Sequence, residues 1–298
     1  MDCNNKLVPF VPNNLDLVEL ISYPESNSDV FSLIFSNLDL PSLRTARCIC
    51  QNWKRAASVV NVSKLVTYNT LAFGPDQWAK HMGKVATDEE IRAALSILPA
   101  NIEKILCSPC PVFPGSGKLV KDTHVLVYID QSVGRTAIIL TSSGELLEAK
   151  LDGSNRKNKG FEYIHPEVLS KLNKPVDQAH WVLMTKDVLG GDDLGPNGSR
   201  GKAYATQEKM VEELAERSGE LYEVPQTLEA VAALIAHFLK SGKFIFGRGD
   251  DLWTYTRCKE ELINGYRVGV GGFASAGLSV NGSYDFAVSG VAGLRKFF

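Results

Sequence analysis

DVFSLIFSNLDLPSLRTARCICQNWKRAAS, residues 29–58, is the stretch on which the reading of this chain turns. In its first ten residues Val30, Leu33, Ile34 and Leu38 fall on one helical face, and Phe31 with Phe35 widens that face. Asp29 stands at the start, where a negative charge complements the helix dipole. The turn Asp39-Leu40-Pro41 follows, and Pro41 has the fixed φ and missing N–H that suit a first helical position. Leu43, Ala46, Cys50, Trp53 and Ala57 then recur at spacings of three and four, with Arg44, Arg47, Lys54 and Arg55 between them. Two further short helices satisfy this pattern, so a three-helix module is predicted over residues 25–62. A unit of about forty residues buries too little surface to be stable alone. Its apolar face therefore needs a partner or the remainder of the chain. Trp53 is the type of aromatic that anchors interfaces, or else it wedges the helices together.

On the N-terminal side, residues 1–24 form an Asn- and Pro-rich arm that turns apolar at Leu15, Leu17, Val18, Leu20 and Ile21 before Pro24 interrupts it. On the C-terminal side the character changes near residue 63. Thr87-Asp88-Glu89-Glu90 is a capping-box signature for a helix running through Ile91 and Leu95, ended by Pro99. Residues 107–118, CSPCPVFPGSGK, must be loop. Residues 123–130 and 136–141 read as paired strands, and 180–186 as another strand. The glycine-rich stretch 190–202 reads as a mobile loop. Helices are predicted over 204–218 and 227–241, the second closed by Gly242. Strands follow at 243–246, 253–258 and 266–273, then a Gly-rich tail. Strands and helices alternate irregularly, so the fold class is α+β, with one larger α+β domain over 63–298.

The 298 residues carry a net charge of -2, with 44% hydrophobic and 22% charged side chains. That is a globular composition, and it lacks the basic excess that phosphate-backbone binding needs. The cluster Arg156, Lys157, Lys159 reads as a solvated loop, so no nucleic-acid partner is expected. No apolar run is long enough to span a bilayer, and no secretory leader is expected, because Asp2, Asp16 and Glu19 interrupt the start. Six scattered cysteines fit a reducing, cytoplasmic setting better than a disulfide scaffold.

Residues 28–58 resemble an F-box. The family pattern runs as an acidic residue, a Leu-rich helix ending Ile-Phe-x-x-Leu, a short Asp/Pro turn, a Leu, then Cys-x-x-Trp. Here those places hold Asp29, Ile34-Phe35, Leu38, Asp39, Pro41, Leu43 and Cys50-Gln51-Asn52-Trp53. The Leu-Pro pair usual before the acidic residue is replaced by Ser26-Asn27, with Pro24 displaced. The resemblance implies three small helices that dock on a Skp-family adaptor of an SCF-type ubiquitin ligase. Val30, Ile34, Phe35, Leu38, Pro41, Leu43 and Trp53 would make or support that contact. A separate domain would select an unknown protein target. ILCSPCPVFPG (105–115), KDTHVLVYI (121–129), HWVLMTKDVL (180–189), WTYTRC (253–258), GGFASAGL (271–278) and GVAGLRKF (290–297) resemble a region of F-box proteins in chlamydia-like bacteria that live inside amoebae. This second resemblance brings no assigned activity; it implies an effector acting in the cytosol of a eukaryotic host.

Several constellations compete with that reading. Cys107-x-x-Cys110 has zinc-knuckle spacing but lacks a second paired set of ligands, so no metal is expected. Gly115-Ser116-Gly117-Lys118 departs from the phosphate-loop pattern, since Leu119 follows the lysine. Asp192-Asp193 make a poor calcium site without further oxygen ligands. A Cys-His hydrolase or transferase is the alternative from another class, with Cys258 as nucleophile and His124, His180 or His237 as base. His237 sits in an apolar helix and reads as a satisfied or exposed residue. Trp253, Tyr255, Tyr266, Phe273, Tyr284 and Phe286 either line a cleft or, for most of them, form the sheet core. No catalytic residue and no cofactor are assigned. A structural interaction protein unrelated to ubiquitin is a third reading.

Overall fold

LEAVAALIAHFL, residues 228–239, is apolar on every side except at Glu229 and His237. A helix of that kind can only sit in an interior. In the computed structural model the described residues are 62–81, 84–130, 161–172, 176–191, 198–247, 253–283 and 288–298. The chain divides into two units at Val62/Ser63, and all described residues from Ser63 onward belong to the second. The expected three-helix module, the strand at 136–141, the basic cluster at 156–159, Asp192-Asp193, Tyr284 and Phe286 lie outside the described residues.

The elements run α1 (Val62–Thr70), β1 (Ala72–Phe73), α2 (Pro75–His81), α3 (Asp88–Ile97), α4 (Ile102–Leu106), α5 (Val120–Thr123) and β2 (His124–Ile129). There follow β3 (Phe161–Ile164), α6 (Pro166–Leu172), β4 (His180–Thr185), α7 (Tyr204–Ser218) and α8 (Thr227–Ser241). The end is all strand: β5 (Tyr255–Glu261), β6 (Arg267–Ala274), β7 (Gly277–Ser283), β8 (Ser289–Gly290) and β9 (Leu294–Phe297).

Two mixed sheets result, in the orders β1-β2-β4-β9 and β3-β7-β6-β5-β8. In the first, β2 and β4 pair antiparallel over their whole length, from His124 opposite Thr185 to Ile129 opposite His180. Both strands are buried at every position, so they read as continuous apolar runs rather than alternating ones. Helix α8 packs against strands of both sheets. Its Val231, Leu234, Ile235 and Phe238 join Val127, Val182 and Met184 of one sheet to Val268, Val270 and Phe273 of the other in a single core. The expected α+β class holds for this unit.

Other elements are pinned to this frame by side-chain donors. Trp78 Nε1 of α2 donates to the Tyr128 carbonyl at 2.9 Å, and Trp181 Nε1 of β4 to Ala94 of α3 at 2.7 Å. The capping box at Thr87 forms as expected: Thr87 N donates to Glu90 Oε2 at 2.7 Å, and Glu90 N to Thr87 Oγ1 at 3.2 Å. Gly219 and Gly242 close α7 and α8 with φ of 67° and 68°.

Three expectations are corrected. Residues 243–246 are not a strand: after Gly242 the chain turns, and Phe246 takes a φ of 52°. Phe244 packs instead on Phe238 and Phe273, with ring centroids 4.7 and 4.9 Å apart. Residues 198–200 of the glycine-rich stretch are held in place rather than forming a free loop. Ser199 and Arg200 are buried, and Arg200 Nε donates to the Gly191 carbonyl at 2.8 Å. The Gly-rich tail contains β7, β8 and β9. Its GVAG segment (290–293) crosses between the sheets, and a Cβ on Gly290 would lie 2.7 Å from that of Val188. Among the described residues of the aromatic set expected mostly to form core, Phe273 is buried, Tyr255 and Tyr266 are half-buried, and Trp253 is exposed.

Candidate functional site

Among the described residues a basic pocket of about 340 Å³ opens at one edge of the first sheet, with an apolar floor. Because β2 and β4 are antiparallel, the start of β2 and the end of β4 meet there. His124 enters from β2, Lys186 from just beyond β4, Lys121 from α5, and His237 with Lys240 from the last turns of α8. Phe73, Leu106 and Leu126 supply the apolar surface.

The charged side chains that line this pocket are all basic, although the Asp122 charge reaches Lys186 from outside the lining. Lys186 Nζ donates to the Asp122 carbonyl at 3.0 Å, and Lys240 Nζ to the Ala72 carbonyl at 2.8 Å. Neither ammonium forms an ion pair with a described carboxylate. Asp76, the carboxylate whose charge reaches Lys240, accepts a hydrogen bond from the Tyr68 hydroxyl. Lys240 is exposed as a residue, yet partial burial of its ammonium lowers it to about 8; the Asp76 charge opposes this, and a smaller repulsion from Lys186 adds to it. Burial, with Lys186, Lys243 and Lys240 adding their repulsion, lowers His237 to about 4. The His237 imidazole is therefore neutral at pH 7.

His124 is part of the wall and not a ligand. Its Nδ1 lies 2.9 Å from Thr123 Oγ1 and 3.2 Å from the Val120 carbonyl, and its Nε2 lies 3.1 Å from the Tyr222 hydroxyl. Burial lowers its pKa to about 3, so the ring is neutral. The network then assigns the proton to Nδ1, leaving Nε2 to accept from Tyr222.

A second cluster of charge sits at the N-terminal end of α8. Glu229 Oε1 contacts His180 Nε2 at 3.2 Å and Lys296 Nζ at 2.8 Å, and Glu229 Oε2 accepts from Gln226 N at 2.9 Å. Lys296 also reaches Glu223 at 3.0 Å, and Lys259 pairs with the same carboxylate. Burial pushes the Glu229 carboxyl up, but the bond to His180 and the Lys296 charge outweigh it and hold it below the usual range. This network ties α8 to β4 and β9; every atom in it has a partner.

The Cys-His alternative finds no geometry. Cys258 is fully buried in the core, its thiol is pushed well up by burial, and its Sγ approaches the Thr256 carbonyl at 3.9 Å. His124 is committed to Tyr222, His180 to Glu229, and His237 to the pocket. Cys107 is exposed and Cys110 buried, both as free thiols. No three His, Cys, Asp or Glu among the described residues are grouped to hold a metal ion. No helix among them is long and apolar enough to cross a membrane.

The sequence reading missed the pocket. Its lysines are scattered over 121–240, and only the fold brings them together. The candidate adaptor residues Val30, Ile34, Phe35, Leu38, Pro41, Leu43 and Trp53 lie outside the described residues. For that part of the chain, a model of the F-box domain matches residues 27–64. F-box domains generally bind Skp-family adaptors of ubiquitin ligases, so the coarse partner type follows from the match. No curated protein and no solved structure matches the chain.

Proposed function

We propose that this chain is the target-recruiting subunit of an SCF-type ubiquitin ligase. The observation that carries the reading is the F-box match at residues 27–64, which spans all seven candidate contact residues. In this mechanism the helical module docks on a Skp-family adaptor, and Val30, Ile34, Phe35, Leu38, Pro41, Leu43 and Trp53 make or support that contact. Residues 63–298 hold a protein target while other subunits transfer ubiquitin, so the chain itself needs no chemistry. A cytoplasmic setting agrees with the free thiols Cys107, Cys110 and Cys258. Action inside a eukaryotic host, as a bacterial effector, rests on the resemblance of the C-terminal stretches alone.

The test is a pull-down of the purified chain with a eukaryotic Skp-family adaptor, beside a Leu38→Asp/Trp53→Ala variant of unchanged melting temperature. Binding by the parent and its loss in the variant are expected. A well-folded parent that does not bind would overturn the proposal.

A further inference from the structure

We propose that the basic pocket at the end of α8 binds a small organic anion, with a carboxylate or phosphate head against Lys186, Lys240 and Lys121 and an apolar body on Phe73 and Leu106. This goes beyond the adaptor reading and does not depend on it.

Three ammonium groups converge on one concavity from three separate elements, α5, the end of β4 and α8. Local structure explains part of this. Lys240 stands in the last turn of α8, where a cation suits the helix dipole. Lys186 caps the final carbonyls of α5. Neither reason brings the two ammonium groups to one pocket; burial lowers both, the Asp122 charge opposes this at Lys186 and the Asp76 charge at Lys240, and the repulsion of the lysines is felt most clearly at His237. Lys121 is exposed and forms no ion pair with a described residue. The His237 ring is half-buried, lines the same pocket, and makes no hydrogen bond to a described residue. A concavity whose charged lining is all lysine, with Lys121 and Lys240 exposed and Lys186 half-buried, favours an anion, since charge-assisted hydrogen bonds are the strong ones. The volume of about 340 Å³ lies at the lower end of small-molecule pockets, and its lining is largely apolar. A bare inorganic ion would leave that surface uncovered.

The experiment is an NMR titration of the full-length protein that follows the histidine Hε1 signals, with His237→Asn used to assign that residue. The probes are phenyl phosphate, benzoate, inorganic phosphate and benzyl alcohol. Saturable binding is expected for phenyl phosphate or benzoate, and the tighter of the two identifies the head group. Inorganic phosphate should bind roughly tenfold more weakly, and benzyl alcohol weaker still. The bound anion should raise the titration midpoint of His237 from about 4, because it offsets the charges that act on that ring: Lys186 beyond β4, and Lys243 and Lys240 at the end of α8. Neutral His124 adds no charge, and Asp76 acts mainly on Lys240. Lys240→Met should weaken binding about tenfold or more, and Lys240→Arg should restore most of it. Lys121→Gln, at an exposed site, should weaken it several-fold without affecting folding. The proposal falls if no anion gives a saturable shift, if benzyl alcohol or inorganic phosphate binds as well as phenyl phosphate, or if both Lys240→Met and Lys121→Gln bind undiminished.

Discussion

Two residues show how far single positions constrain this unit. His124 is neutral because burial lowers its pKa to about 3, against about 6.5 in an unfolded chain. Below that upper value the unfolded chain binds a proton that the folded ring refuses. Stability is therefore lost as pH falls from about 6.5 towards 3, by about 1.4 kcal/mol per pH unit from this group. His124→Gln should flatten that limb, read as the urea midpoint at pH 6 and pH 4. An unchanged slope would mean that the ring is already charged in the fold and that Tyr222 does not donate to it. Gly271 of β6 makes a steric demand instead. It stands opposite Tyr255 of β5, and a Cβ there would lie 2.1 Å from the Thr254 carbonyl oxygen and 2.7 Å from Tyr255 Cα. These are backbone atoms, so the strands would have to part. Gly271→Ala should cost about 1–3 kcal/mol, the range for overpacking, in a thermal or urea unfolding measurement.

At the scale of elements, legibility followed how local the cause was. The α3 cap was readable because Thr87 and Glu90 satisfy each other within one turn. The ends of α7 and α8 were readable because Gly219 and Gly242 supply the left-handed residue that closes a helix. Residues 243–246 misled because alternating aromatics suit a strand, whereas tertiary packing on Phe238 and Phe273 claimed them. β1, β3 and β8 are short and owe their pairing to distant partners, so no local signal marks them. Glu229 of α8 is the same lesson in polar form. One acidic residue in an apolar helix looks like a fault until His180 and Lys296 arrive from β4 and β9. Removing that carboxylate leaves the buried His180 Nε2 without its partner and Lys296 with Glu223 alone, so Glu229→Ala should cost about 1–3 kcal/mol. Replacing the group together with its lysine, as Glu229→Leu/Lys296→Met, should recover much of that loss. A double-mutant cycle in urea measures the coupling, and additive losses would deny that the two side chains act together.

At the scale of the molecule, the F-box segment and the pocket were legible to different degrees for a physical reason. The F-box pattern is a contiguous order of residue types, so a linear reading finds it at 27–64. The pocket is assembled by the antiparallel register of β2 with β4 and by the packing of α8, and no linear pattern encodes that. The same helix joins the two sheets through one core. Because α8 contributes to one core shared by both sheets, neither sheet keeps its buried face without it. Phe238 touches Phe273 of β6 with ring centroids 5.4 Å apart, and it lies far along the chain from β2 and β4. Phe238→Ala should cost about 3–5 kcal/mol through the cavity it leaves. If the sheets unfold together, hydrogen exchange of the slowest amides should accelerate by the same factor in β2 and β4 as in β6 and β7. Faster exchange confined to β6 and β7 would show instead that the two sheets are separate cooperative units that α8 merely joins.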